Sequence, residues 1–227
     1  MSRARTSSKI DRQTAAPENG SGCLSLYSLP LFAVFLITCL ITALSLSTPV
    51  VTSASPQSNN STNISPIFTR EVQHWADNIT QWATASSLDP NLIATVMQIE
   101  SCGDPRAVSS AGAKGLFQVM PFHFQFGENP YNPETNALRG LNYLSNSLTT
   151  AHGNVRLALA GYNGGIGVIA RGEWTWAAET IRYVYYGAPI YEDARAGLTS
   201  SPKLEEWYKK YGAGLCRQAS NRLGISP

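Results

Sequence analysis

The sequence predicts a mainly α-helical domain carried behind an N-terminal apolar segment. Apolar residues recur at steps of three and four through most of residues 67–227. Asp and Asn residues that favour helix N-caps, two of them followed by proline, stand where several of those stretches begin. No run of alternating hydrophobicity is long enough for a substantial sheet, and no internal repeat divides the chain. A length of 227 residues gives room for one ordinary domain and its appendages, but not for two large ones.

Residues 1–23 form a basic tail, with Arg3, Arg5, Lys9 and Arg12 against Asp11 and Glu18. No charged side chain follows between Asn19 and Thr69, and within that stretch Leu29 to Leu46 is nearly all apolar. A bilayer-spanning helix needs about 20 apolar residues, and a signal-peptide core about 7–15. Residues 24–47 therefore read as a transmembrane or signal-anchor segment. Positive charge ahead of it puts the tail in the cytoplasm and the rest of the chain outside, a single-pass protein of the cell membrane. The competing reading is a signal cleaved after Ala54, behind Thr52 and Ser53, which gives a secreted protein. Lipid attachment at Cys39 fits poorly, because Thr38 is bulky for the position before a modified cysteine. Residues 48–66 are rich in Ser, Thr, Asn and Pro and read as a flexible linker to the domain at 67–227.

Within that domain, Val72, Trp75, Ile79 and Trp82 give one apolar face from Ile67 to Ala85. Asp89-Pro90 combines a cap with a first-turn proline and opens a helix whose face carries Leu92, Val96 and Ile99. Asn132-Pro133 repeats the signal ahead of Ala137, Leu141, Leu144 and Leu148, and that helix runs to Gly153. Asn154 caps a helix with Val155, Ala158, Leu159 and Tyr162. Thr175 is the expected cap of another, with Ile181, Val184 and Tyr185 before Gly187. A last pair spans Leu204–Tyr211 and Leu215–Leu223, and the segment 101–120 leaves room for a small hairpin.

From Arg70 onward 13 basic residues balance 13 acidic ones, so the positive excess lies in the tail. A neutral domain without a Lys/Arg stripe is a poor nucleic-acid binder, because phosphate neutralisation supplies most of such affinity. His74, His123 and His152 lack metal-ligand spacing, no C-x-x-C pair occurs, and nucleotide-binding glycine motifs and a nucleophile elbow are missing. No metal or cofactor is therefore expected. Export leaves Cys102 and Cys216 outside, since Cys23 and Cys39 lie before or inside the apolar segment. These two are either joined in one disulfide or held as buried thiols.

The segment from Leu88 to Pro121 carries the candidate chemistry. Its apolar helix ends in a carboxylate, Glu100, followed by Ser101, Cys102 and Gly103. The negative end of the helix macrodipole disfavours an ionised carboxylate, and apolar neighbours such as Val96 and Met97 add desolvation. Both effects raise the pKa, as a general acid working near neutral pH requires. For an isolated glutamate the plainer reading, a solvated helix end, would prevail.

Four blocks remove that ambiguity. Glu100-Ser101, the run Gly115-Leu116-Phe117-Gln118-Val119-Met120-Pro121, the loop Gly161-Tyr162-Asn163-Gly164-Gly165 and the stretch Glu179-Thr180-Ile181-Arg182-Tyr183-Val184 occur in this order. Together they resemble the catalytic core of the soluble lytic transglycosylase family, over about residues 70–190. In that family a Glu-Ser ends a helix, a G-L-M-Q-[LIV]-M-P turn and an A-Y-N-A-G loop follow, and a late E-T-x-x-Y-V helix closes the set. Phe117 departs from the usual Met, Gly161 and Gly164 from two alanines, and Cys102 from a glycine or other small residue. A disulfide to Cys216 would account for the last.

The resemblance implies a lysozyme-like fold and cleavage of the β-1,4 bond between N-acetylmuramic acid and N-acetylglucosamine in peptidoglycan glycan strands. It makes Glu100 the acid/base, and places Ser101, Gln118, Met120, Tyr162, Asn163 and Tyr183 against the substrate. Glu179 is expected to order the loop. Two other readings remain open. A lysozyme-type hydrolase needs a second carboxylate, for which Asp104, Glu128 and Glu179 are candidates. A non-catalytic wall-binding protein would have lost Glu100. Trp174 and Trp176 are expected in the core, and residues 191–227 carry no functional reading.

Overall fold

The computed structural model describes residues 64–225. The basic tail, the apolar segment at 24–47 and most of the linker lie outside the described residues. Among the described residues no helix is long and apolar enough to cross a membrane. The described part is mainly helical, as expected.

The first amphipathic stretch folds in two pieces, α1 (Arg70–Gln73) and α2 (Ala76–Ser86), and not as one helix. Val72, Trp75, Ile79 and Trp82 are all buried, so the apolar face was read correctly although the backbone breaks inside it. At the break Trp75 leaves helical geometry, and its indole N–H donates to the Gly103 carbonyl at 2.9 Å. That bond ties the break to the loop after the next helix.

The helix α3 (Pro90–Glu100) begins as its sequence dictates, with the Asp89 carboxylate accepting from the Asn91 N–H at 2.8 Å. Every residue from Leu92 to Gln98 is buried, which makes α3 the central helix. The turn after it returns through two isolated antiparallel bridges, Val108 with Lys114 and Lys114 with Val119. This is the small hairpin reduced to its minimum. Asn132 and Asn154 cap α4 (Pro133–Thr150) and α5 (Val155–Gly164), accepting from Thr135 N at 2.9 Å and Leu157 N at 3.1 Å.

The next helix departs from expectation at both ends. Thr175 closes a short 3-10 turn, Glu173–Thr175, and α6 runs Ala178–Arg195 with Ala177 at its N-cap. Gly187 does not stop it. A Cβ there would lie 3.2 Å from Leu159 Cδ1 and 3.3 Å from Ile99 Cδ1, so the glycine brings α6 close to α5 and α3. The helix even carries Pro189 through its interior. The last pair is continuous: α7 (Pro202–Trp207), a π-helical turn (Tyr208–Gly212) and α8 (Ala213–Leu223).

Cys102 and Cys216 are joined by a disulfide, with Cα atoms 5.0 Å apart. Both are fully buried. Two polar ties run beside the bridge. Asp104, completely buried, accepts from Gln218 Nε2 at 2.9 Å and faces Arg222 Nη1 at 3.4 Å, while Ser220 donates to the Glu71 carboxylate at 2.5 Å. The helix α8 is thereby fastened to the turn that follows Glu100.

Cys102 holds this bridge in the left-handed region, at φ +52°. That conformation suits glycine, which explains why a small residue is usual at this place in the family the sequence resembles. Removing the bridge frees a loop of sequence separation 114. The variant Cys102→Ala/Cys216→Ala should lose about 4 kcal/mol in urea unfolding, or somewhat less, because loop closure no longer restricts the unfolded chain. Cys102→Gly/Cys216→Ala should recover about 1 kcal/mol of that loss by relieving the positive φ. Equal stability of the two variants would contradict the strain at residue 102.

Candidate active site

Glu100 ends α3 on the floor of a cleft made of two adjoining hollows, and it lines both together with Ser109, Gln118, Asn163 and Glu179. The first hollow continues along Met120, Phe122, His123, Tyr143 and Tyr162. The second continues along Arg182, Tyr183, Tyr186, Trp207 and Tyr211. Glu100 itself is only partly exposed.

The loop facing Glu100 is built from inside. Ser101 is fully buried, donates to the Leu116 carbonyl at 2.7 Å and accepts from the Gly103 N–H at 3.1 Å. Asn136, buried on α4, accepts from Phe117 N at 2.9 Å and donates to the carbonyls of Lys114 and Pro130 at 2.8 and 2.9 Å. Tyr162 donates to the Phe117 carbonyl at 2.7 Å. Held between these bonds, Gln118 takes a left-handed conformation at φ +46°, and its amide donates to Gly115 O at 2.9 Å. The larger Phe117 is accommodated by Gly140, where a Cβ would stand 2.6 Å from Phe117 Cβ. Gly161 and Gly164 do more than loosen the backbone. Ser147 and Ile169 fill the space beside the first, and Thr180 the space beside the second, so neither position has room for a side chain.

The Glu100 carboxyl is pushed up to about 8, chiefly because burial penalises its charge, with the nearby Glu179 charge adding to the effect. The Tyr183 hydroxyl works in the other direction by favouring the carboxylate. Burial, not the end of the helix, is the leading cause. Tyr162 and Tyr183 are raised well above the ordinary phenol range, by burial first and then by the charge on Glu100, so both stay protonated donors. Tyr183 is buried, and its hydroxyl lies near Glu100 without meeting a partner in full hydrogen-bond geometry.

Gln118, Met120, Tyr162, Asn163, Tyr183 and Glu179 are gathered around Glu100 as expected. Ser101 is the exception. Its hydroxyl is spent on the loop and does not reach the cleft. Asp104 is buried against α8, and Glu128 pairs with Arg139 at 2.5 Å and lines neither hollow. Trp176 is buried as expected, but Trp174 is 88% exposed and outside the core. Sequence reasoning missed Asn136, which stands beside Ala137 of the apolar stripe and looks like any solvent-facing amide. It also missed Tyr143, Trp207 and Tyr211, for which no motif offered a signal. Among the described residues one His/Cys/Asp/Glu group has metal-like spacing, Glu71 with Cys102 and Cys216, and its sulfurs are bonded to each other.

The raised carboxyl has a consequence for stability. The folded state keeps the Glu100 proton up to about 8, against an ordinary value of 4.5, so stability is given up as pH rises between these limits. Glu100→Gln removes that penalty. Its melting temperature should match the wild type near pH 4, exceed it increasingly up to about pH 8, and keep a constant lead above that. Thermal melts across this range check the sign, and a difference independent of pH would contradict the burial of an ionisable group.

The family model of the transglycosylase SLT domain matches residues 77–180. A transglycosylase of Enterobacteria phage PRD1 is 37% identical over 111 residues, covering 48% of this chain and 40% of the phage protein. The chain thus spans about two-fifths of the length of that curated relative. A lytic transglycosylase of Pseudomonas aeruginosa, solved as an inactive mutant, aligns with a TM-score of 0.45 and 23% identity over 56% of this chain and 25% of that one. The family match includes Glu100, Gln118, Tyr162 and Asn163, and ends just after Glu179. Residues 77–180 of the chain are thus similar to the transglycosylase SLT domain.

Proposed function

We propose that this chain is a peptidoglycan lytic transglycosylase of lysozyme-like architecture, cutting the β-1,4 bond between N-acetylmuramic acid and N-acetylglucosamine with Glu100 as its acid/base. The observation that carries the reading is a carboxyl group held up to about 8 on the floor of a cleft lined by tyrosines and amides. A general acid must hold its proton until the leaving oxygen needs it, and a pKa near the working pH serves that purpose. Glu100 gives its proton to the glycosidic oxygen as the bond to the muramic acid C1 breaks. The resulting carboxylate takes the proton of the same sugar's 6-hydroxyl while O6 bonds to C1, closing a 1,6-anhydro ring. No water is consumed, and Glu100 ends protonated again.

The remaining roles follow from position. Gln118 and Asn163 offer amide groups beside the acid, Tyr162 and Tyr183 offer their rings, and Met120 gives an apolar contact. Ser101 supports the loop and is removed from the substrate contacts. The alternative, a lysozyme-type hydrolase, keeps one of its three candidate carboxylates. Glu179 lines both hollows, whereas Asp104 and Glu128 line neither. In the transglycosylase reading Glu179 orders the loop and raises the acid. We also propose export, with residues 24–47 as a membrane anchor and the domain outside the cytoplasmic membrane. A buried disulfide supports an oxidising compartment.

Three outcomes test this reading. Glu100→Gln should lower cleavage of purified peptidoglycan by about 100- to 10,000-fold, as general acid/base residues do, while Glu179→Gln costs less. Wild-type kcat/KM should fall as pH rises through about 8, because the leaving oxygen then meets a carboxylate. Product sugars should end in 1,6-anhydromuramic acid, which borohydride does not reduce. Reducible ends alone would mean that water attacked, directed by Glu179.

A further inference from the structure

Beyond the family match, the cleft acquires a cation. Arg182 lines the second hollow from α6 and makes no ion pair among the described residues. Glu179, one turn earlier on the same helix, is spaced for such a pair, yet none forms. The guanidinium lies instead over the ring of Tyr211, 5.4 Å from its centroid. A guanidinium engaged by a ring and by no carboxylate still has N–H donors to offer, in the fork that matches a carboxylate.

The platform under it is itself braced. Tyr211 belongs to the π-helical turn and meets the Tyr186 ring edge-on at 5.8 Å, and Tyr186 donates to Glu206 at 3.2 Å. The same segment leads into Cys216, whose disulfide partner stands two residues after Glu100. The donors are therefore fixed relative to the acid. The hollow also contains Glu179, which would repel a polyanion. A single carboxylate suits one free guanidinium.

We propose that Arg182, braced by Tyr211, binds a carboxylate carried by the substituent of the muramic acid residue. The inference rests on the peptidoglycan reading. That sugar bears a lactyl group, which ends in its own carboxylate when bare and in the carboxylates of a stem peptide when substituted. Arg182 selects the muramic acid side of the scissile bond and so sets the strand's register over Glu100. Arg182 is here a specificity residue, and Tyr211 a positioning residue.

The test uses full-length Glu100→Gln protein, so that ligands are bound and not cut, and measures affinity by calorimetry. The ligands are a chito-oligosaccharide without carboxylates, a glycan stripped of its peptides by an amidase, and the same glycan with its stems. Arg182→Gln should weaken binding of one or both muramic acid glycans by about tenfold, the loss of a charge-assisted pair, and leave the chito-oligosaccharide unchanged. Loss with the stripped glycan assigns the lactyl carboxylate. Loss confined to the stem-bearing glycan assigns the peptide. Tyr211→Ala should lower the same affinities, and Tyr211→Phe should restore them, since stacking needs only the ring. An equal loss with all three ligands, or no loss with any, overturns the proposal. If the protein with Arg182 intact binds none of the glycans, the peptidoglycan reading falls and the proposal with it, a pattern distinct from selective failure of the Arg182 variant.

Discussion

Glu100 ends a helix buried from Leu92 to Gln98, and among the described residues no lysine or arginine forms an ion pair with it. A carboxyl in that position keeps its proton because water cannot repay the cost of its charge. An ammonium or guanidinium beside it would lower the pKa and remove the acid. The surrounding groups are accordingly neutral donors or further negative charge: Tyr162, Tyr183, Asn163, Gln118 and Glu179. Arg182 is the one arginine or lysine lining either hollow, and it is turned onto Tyr211. The packing that holds α3 in the centre is therefore part of the chemistry.

The loop opposite Glu100 illustrates how such a site is kept without regular structure. Two isolated β-bridges cannot hold a turn of this length alone. Buried or half-buried side chains take over the backbone partners that a ladder would have supplied: Ser101 for Leu116, Asn136 for Lys114, Phe117 and Pro130, Tyr162 for Phe117. Positive φ at Gly115 and Gln118 sharpens the turn so that it faces the acid. Asn136 serves three backbone groups and has almost no exposed surface. Its loss would leave several buried donors and acceptors unpaired at once, which is why a residue that never meets the substrate matters to the site.

Reading along the chain found the helix starts well, because Asp89, Asn132 and Asn154 cap through local bonds that depend on two or three neighbouring residues. It failed where tertiary contact overrode the local signal. Gly187 looked like a stop, yet it exists for the close approach of Leu159 and Ile99. The break at Trp75 is set by the Gly103 carbonyl, 28 residues away. Most residues lining the hollows beside Glu100 were legible because four short blocks occur in order along the chain. Ser101 was misplaced because the same blocks record that a residue is needed without saying whether it faces substrate or loop. Trp174 and Trp176 lie two apart on opposite sides of the surface, a distinction composition cannot draw.

The C-terminal segment carries the clearest case of information absent from any motif. Residues 202–223 lie beyond the family match, yet Trp207 and Tyr211 line the second hollow. Their position depends on α8 being fastened to the turn after Glu100, through the disulfide, through Gln218 and Arg222 on Asp104, and through Ser220 on Glu71. Asp104 and Glu71 are both buried, and each would be costly without these partners, so the polar ties and the segment stabilise one another. The same segment supplies the ring that draws Arg182 away from Glu179. Residues 77–180 thus provide Glu100 and the first hollow, while a wall from beyond them determines which charges the second hollow presents.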